Sequence, residues 1–213
     1  MSLIALTTPT GTVGSKVLRR LVESHAQVRV LARDGSRIPQ ELAAKIEIVE
    51  GSLHEPADLA RFMAGADTLF WCQPDPSTAD DYVGAYRELA AKGSDAIRVA
   101  SVARVVAISG AGEKPQTPAG TVDGLYAIEE MLSQSGAACR FLRCGSFMDN
   151  LLWQWEGILE TGSFVYCMDG EKRHPHVATI DVARVAAGWL LRSDWEGVEP
   201  VQVLGPELLS YQD

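Results

Sequence analysis

Short runs of β-branched and aliphatic residues alternate with amphipathic stretches along most of this chain, and that alternation narrows the choice of fold more than any other feature. Ser2 to Leu6, Gln27 to Ala32, Ile46 to Glu50, Thr68 to Cys72, Arg104 to Ile108 and Ala138 to Arg143 read as strands. Between them, Val13 to Ser24, Pro56 to Met63, Asp80 to Val102 and Val122 to Ser135 read as helices. In the first helix, Val13, Val17, Leu18, Leu21 and Val22 form one stripe, while Lys16, Arg19, Arg20 and Glu23 stand off it. Pro56 suits a first helical turn and Gly136 a C-terminal stop. The strands are apolar on both faces, as in a parallel sheet covered by helices on both sides. The expected class is therefore α/β, a doubly wound parallel sheet of the Rossmann type. A chain of 213 residues, 46% of them hydrophobic, is long enough for one such domain.

After Arg143 the pattern is less regular. Phe147 to Leu159 reads as helical and carries Trp153 and Trp155. Phe164 to Cys167 and Val177 to Ile180 read as short strands, and Val201 to Leu204 as a late one. Asp181 reads as the N-cap of a helix from Val182 to Leu191. Glu113 to Val122, with its prolines and glycine, reads as a loop. In open α/β sheets the ligand lies outside the carboxyl ends of the strands, so segments after Arg143 are placed to act as a lid. The expected division is a dinucleotide-binding core over residues 1–146 and a small lid and substrate region over 147–213. The latter interleaves with late core elements in a single compact domain.

The first strand runs into Thr7-Thr8-Pro9-Thr10-Gly11-Thr12-Val13-Gly14, and a helix follows at once. Backbone N–H groups at a helix start, together with the helix dipole, favour a bound diphosphate. Gly11 lets phosphate approach the backbone, and Gly14 lets the helix pack closely. At the end of the second strand, where an NAD enzyme would place a carboxylate for the ribose 2′-hydroxyl, the chain has Arg33, with Arg37 nearby. A guanidinium there suits a 2′-phosphate, which favours NADP(H) over NAD(H). Asp34 follows directly and could pair with Arg33 or take the ribose role itself.

Further segments fall into place beside that turn. They are Glu50-Gly51-Ser52-Leu53 after the third strand, Cys72-Gln73-Pro74 after the fourth and Ser109-Gly110-Ala111-Gly112 after the fifth. Leu142-Arg143-Cys144-Gly145-Ser146-Phe147-Met148-Asp149-Asn150 follows. Taken together, these residues make the chain resemble the NmrA-like group of atypical short-chain dehydrogenases/reductases over almost its whole length. That family's turn reads TGATGxxG, and its first glycine is Thr8 here. A side chain at that position adopts positive φ only at a cost, so the turn is expected to be reshaped or unstrained. The family's xGDL aspartate is Ser52, and the proline of its LRPxxFMxN is Cys144. The resemblance implies cofactor contacts from Thr8, Thr10, Gly11, Thr12, Val13, Gly14, Arg33, Ser52, Leu53, Cys72, Gln73 and Ser109. It also implies a substrate side lined by Ser109, Gly110, Phe147, Asn150 and Trp153.

Typical short-chain dehydrogenases use a YxxxK pair, in which lysine lowers the tyrosine pKa. Here Tyr126 is followed four residues later by Glu130, and a carboxylate shifts a neighbouring phenol the wrong way. Glu129 matches the family's helix glutamate, and Leu125 stands where relatives often carry His or Lys. The standard relay is missing, so no catalytic residue is assigned and Tyr126 is expected to pack. Asn150 reads as a cap or a substrate contact; Trp153 and Trp155 read as core, dimer contacts or an aromatic pocket wall.

A net charge of −9 argues against phosphate-backbone and anionic-membrane partners. The N-terminal apolar run is too short for a signal peptide, and no stretch approaches a membrane span, so a cytoplasmic location is expected. Cys72, Cys139, Cys144 and Cys167 lack CxxC spacing and read as reduced, mostly buried thiols. His174 and His176 read as an exposed turn, and no metal site is expected. The resemblance implies a further helical region after Val203 to Asp213; a chain without it would have a more open pocket and apolar surface for a partner or second subunit. The leading reading is an NADPH-dependent reductase of a quinone-like or other soft acceptor, with a homodimer compatible with it. The alternative is a non-catalytic NADP-sensing module that binds a regulatory protein, and a third reading is a degenerate fold that binds no nucleotide.

Overall fold

The computed structural model describes residues 2–114, 116–166 and 169–213. Strand β1 (Leu3–Thr7) turns into helix α1 (Gly14–Glu23) and returns as β2 (Gln27–Ala32). A 3₁₀ turn (Gly35–Arg37) and the one-turn helix α2 (Gln40–Ala43) lead to β3 (Glu47–Glu50) and α3 (Pro56–Met63). Then follow β4 (Thr68–Trp71), α4 (Tyr82–Ala100), β5 (Arg104–Gly110), α5 (Thr121–Ser133) and β6 (Ala138–Cys144). The remainder comprises β7 (Ser146–Phe147), a 3₁₀ segment (Met148–Gln154), α6 (Trp155–Thr161) and β8 (His174–Val177). It ends with α7 (Thr179–Leu190), β9 (Val198–Val203) and β10 (Leu208–Leu209).

Seven strands form one parallel sheet in the order β3-β2-β1-β4-β5-β6-β9. This is the doubly wound Rossmann arrangement, with the switch point between β1 and β4. Side-chain parity sorts the core. Ile4, Leu6, Phe70 and Val106 point to the face covered by α1 and α7. Ala5, Leu69, Trp71 and Val105 point to the face covered by α3, α4 and α5. A second sheet, β10-β8-β7, stands at the carboxyl end of the main one and joins the C-terminal segment to Phe147.

The first two-thirds of the chain follows the sequence pattern with shifts of one or two residues at element ends. The last third requires corrections. Residues 164–166 are not a strand, and Cys167 lies outside the described residues. The strand expected at Val177 to Ile180 is His174–Val177, and the helix after it starts at Thr179, not Val182. Asp181 is therefore no cap; it lies in the first turn of α7 and pairs with Arg184 at 3.0 Å. The cap comes from Asp149, whose Oδ2 accepts the Thr179 N–H at 2.9 Å. A carboxylate thirty residues upstream leaves no local signal in the sequence. His174 and His176 lie in β8 rather than an exposed turn, with ring centroids 4.1 Å apart and Tyr211 packed against both. Pairing with β7 and β10 buries His176 to 7% exposure, again a long-range effect.

Helix α4 lies close to the sheet because Gly93 leaves room for Trp71. A Cβ on Gly93 would sit 2.5 Å from Trp71 Cη2, and the indole is fully buried. Gly93→Ala should cost about 1–3 kcal/mol through overpacking. Gly188→Ala, on the exposed face of α7 with nothing within 4 Å, should instead stabilise by about 0.5–1 kcal/mol. Urea unfolding of the two variants checks the contrast; equal effects would remove the packing argument.

Candidate functional site

Where the strand order reverses, β1 and β4 send the chain to opposite faces, and a crevice opens between their carboxyl ends. Its floor is a polar seam. The buried Thr7 hydroxyl donates to the Cys72 carbonyl (2.8 Å) and accepts the Cys72 N–H (2.8 Å). The Thr8 hydroxyl donates to the same carbonyl at 3.1 Å. Thr8 has φ +50°, so the turn keeps the left-handed geometry of the family's first glycine and is not reshaped. That costs a non-glycine residue about 1–2 kcal/mol. The Cys72 bond and the Gly11 N–H, which donates to the Thr8 carbonyl at 3.0 Å, hold the conformation.

Gly14 explains why the strain persists. A Cβ there would lie 2.1 Å from the Thr8 carbonyl oxygen, so the turn closes only over a bare α-carbon. Its closure leaves the N–H groups of Thr12, Val13 and Gly14 without acceptors among the described residues, at the N-terminus of a ten-residue helix. Unpaired donors aligned with a helix dipole make an anion site.

The crevice is a cavity of about 690 Å³. Around it the structure assembles Thr8, Thr10, Gly11, Thr12, Val13 and Gly14 from the β1–α1 turn, and Arg33 from the end of β2. Ser52 and Leu53 after β3 and Cys72 and Gln73 after β4 continue the wall, and Phe147, Asn150 and Trp153 complete it. Burial pushes the Cys72 thiol up, so it is a neutral wall group. The Gln73 carboxamide faces away: Nε2 donates to the Tyr86 carbonyl at 3.2 Å and Oε1 accepts from the Trp71 indole at 3.2 Å. At Ser52, Asp58 accepts the backbone N–H at 2.8 Å and fixes the loop, a bond that needs no aspartate at position 52. Asp34, Arg37, His54, Pro74 and Asp75 also line the cavity.

Arg33 and Arg37 are exposed, and neither guanidinium makes an ion pair or hydrogen bond among the described residues. Asp34 does not pair with Arg33. Its Oδ1 accepts from the Ser36 hydroxyl (2.6 Å) and N–H (3.0 Å), which hold its carboxyl below the usual range. The two cations thus stay open toward the cavity.

Ser109 and Gly110, expected on the acceptor side, are buried and do not line the cavity. Strand β5 runs on through both, and Ala111 N–H still donates to the Cys144 carbonyl at 2.9 Å. The Ser109 hydroxyl donates to Glu129 Oε1 at 2.5 Å. Glu129, only 8% exposed, accepts twice from Arg143, at 3.0 and 2.7 Å. Arg143 lies over the Tyr126 ring at 4.9 Å, and the Tyr126 hydroxyl donates to the Gly112 carbonyl at 2.7 Å. Burial raises the Tyr126 phenol further, with Arg143 opposing. Glu130 turns out to pair with Arg87 at 3.1 Å. Asn150 caps nothing, and its amide makes no hydrogen bond among the described residues.

Sequence reasoning missed one assembly beside the cavity. Asp149 Oδ1 accepts from Lys16 Nζ at 2.6 Å and from the Thr179 hydroxyl at 2.5 Å, and Lys16 Nζ also reaches that hydroxyl. Lys16 stands off the apolar stripe of α1 like any solvated lysine, so nothing local marked it.

A family model described as NAD(P)H-binding matches residues 9–192. The chain is 31% identical over 201 residues to an NAD(P)H azoreductase of Xenophilus azovorans, covering 94% of this chain and 67% of that protein. It is 28% identical over 211 residues to a (4-alkanoyl-5-oxo-2,5-dihydrofuran-3-yl)methyl phosphate reductase of Streptomyces griseus, covering 99% and 71%. Among solved structures, a Citrobacter sp. triphenylmethane reductase complexed with NADP(H) superposes with a TM-score of 0.83 at 19% identity, covering 99% and 72%. An Escherichia coli NADPH-dependent quinone oxidoreductase complexed with NADPH does so with 0.82 at 23%, covering 97% and 71%. These two likenesses establish the fold. No helix of the described residues is long and apolar enough to cross a membrane.

Two outcomes follow for the site. Gly14→Ala should abolish dinucleotide binding by calorimetry while the circular dichroism spectrum stays native; retained affinity would mean the turn tolerates a Cβ. Burial would raise the Asp149 carboxyl, but the bonds from Lys16 and Thr179 outweigh it and hold it at about 2, below the ordinary 3.8. The resulting stabilisation, about 2 kcal/mol, is fully present above pH 3.8 and is lost as pH falls through 2. The gap in urea-unfolding free energy between wild type and Asp149→Asn should therefore narrow, by about 1 kcal/mol, as pH is lowered from 5 to 3.

Proposed function

The chain belongs to the NAD(P)H-binding family, with the atypical short-chain dehydrogenase/reductase fold, and from that premise we propose that it is an NADPH-dependent reductase of a quinone-like or other soft acceptor. The residues present fit the dinucleotide: the unpaired N–H groups of Thr12 to Gly14 suit its diphosphate, and Arg33 and Arg37 suit a 2′-phosphate. When bound, NADPH supplies the hydride. Phe147 and Trp153 then provide faces for a flat acceptor, and the free Asn150 amide is available to orient its oxygen.

The observation that carries this reading is where the hydroxyls go. Ser109 and Tyr126, the groups that would move a proton in an alcohol dehydrogenase, both donate inward, to Glu129 and to the Gly112 carbonyl. Among the described residues, no tyrosine or lysine lines the cavity. An acceptor reduced here takes its proton from solvent, which suits quinones and disfavours simple ketones. The azoreductase and the quinone oxidoreductase among the similar proteins agree with such chemistry.

The second reading, an NADP-sensing module that binds a protein, draws on exposed apolar groups beside the cavity, among them Leu152, Trp155, Leu159 and Val165, the last 82% exposed. Turnover separates the two. Arg33→Ala should weaken NADPH binding by about 10- to 100-fold, the loss of one charge-assisted contact, and leave NADH affinity within about threefold. An equal loss for both cofactors would place the 2′-phosphate elsewhere. Wild type should oxidise NADPH with a panel of quinones; binding without turnover would favour the sensor.

A further inference from the structure

From Met148 to Val165 no residue is buried, although Leu152, Trp153, Trp155 and Leu159 are large and apolar. Trp153 is 75% exposed while forming part of the cavity wall. Such a segment needs something to fix it. Its internal bonds, such as Gln154 with the Val165 backbone at 2.8 and 2.9 Å, shape it but tie it to nothing else. Among the described residues, every side-chain hydrogen bond and ion pair from Met148–Val165 to the rest of the molecule runs through Asp149. At the far end, Phe164 packs its ring on Tyr211 at 5.6 Å.

The partners of Asp149 are rigid. Lys16 lies two residues beyond Gly14 on α1, the helix whose N-terminus faces the anion site, and Thr179 opens α7. Both helices pack on the same face of the sheet. The carboxylate side chain is 16% exposed and that of Lys16 31%, so the pair is partly screened from water and holds better than a surface ion pair.

We propose that Asp149 is a positioning residue: clamped by Lys16 and Thr179, it pins the 148–165 segment to the cofactor-binding helix and so sets Asn150 and Trp153 at the acceptor end of the cavity. This rests on the reductase reading for its kinetic readout, though not for its structural one. A 1 Å displacement of a substrate-positioning group is enough to cost a large factor in turnover. Cofactor affinity, set by the β1–α1 turn and the arginines, should move little.

A rival role exists for Asp149 as the cap of α7 alone. Lys16→Met separates the two, because it removes the cation and leaves the Thr179 N–H bonded to Asp149 Oδ2. Asp149→Asn and Lys16→Met should each raise the quinone KM by about tenfold or more, with NADPH Kd within about threefold. Each should also speed chymotryptic cleavage between residues 151 and 159, and Lys16→Arg should restore both. If Asp149→Asn merely lowers Tm, with KM and cleavage rate unchanged in both variants, the pin is overturned and the cap remains. If wild type binds NADPH but reduces no quinone, the reductase reading fails, and cleavage rate still decides the pin. Unchanged cleavage in Lys16→Met then rejects it.

Discussion

The cavity depends on a single contact, that of the Thr8 carbonyl with the bare α-carbon of Gly14. It lets the chain reverse within one turn, keeps Thr8 left-handed against its own side chain and directs the start of α1 at the crevice. Two threonine hydroxyls bond the turn to the Cys72 backbone, so β1 and β4 separate only beyond that seam. The threonine that replaces the family's first glycine is therefore a trade of one kind of turn stability for another. Glycine would relieve the φ strain and lose the bond to Cys72; threonine keeps the bond and bears the strain.

A second exchange of this kind occurs at the carboxyl ends of β5 and β6. A buried glutamate is costly unless paired, and Glu129 is paired twice over by Arg143 and once by Ser109. That knot is self-sufficient, which is why it places no proton donor at the cavity. The missing lysine four residues after Tyr126 is thus not an isolated loss. Tyrosine, serine and glutamate have been drawn into one internal network with Arg143.

Much of this was legible in the sequence where the determinants are local. The strand–turn–helix spacing around Gly11 and Gly14, the arginine at the end of β2 and the apolar runs of β4 and β5 specify the sheet and bring the turn and Arg33 to one crevice. The failures share one cause. Ser109 looked available because a serine at a strand end usually faces the crevice; only the long-range approach of Glu129 and Arg143 turns it inward. Asp181 looked like a cap because it stands before an apolar periodic run, and Asp149, thirty residues away, had already taken the position. His176 looked exposed beside a proline and is covered by a strand that comes last in the chain. In each case the deciding partner lies outside any window that periodicity or capping rules can span.

The two halves of the cavity are held by different physics, and this bears on what evolution can change in them. Around the β1–α1 turn, backbone geometry, sheet pairing and a buried seam fix the wall. Across the cavity, Asn150 and Trp153 ride on a segment without a buried residue, whose side-chain polar ties to the body among the described residues converge on one carboxylate. Residues at Leu152, Trp153 or Trp155 can vary at little cost to the core, because they contribute little to it. A fold arranged in this way can hold one wall of its cavity fixed while the opposite wall varies.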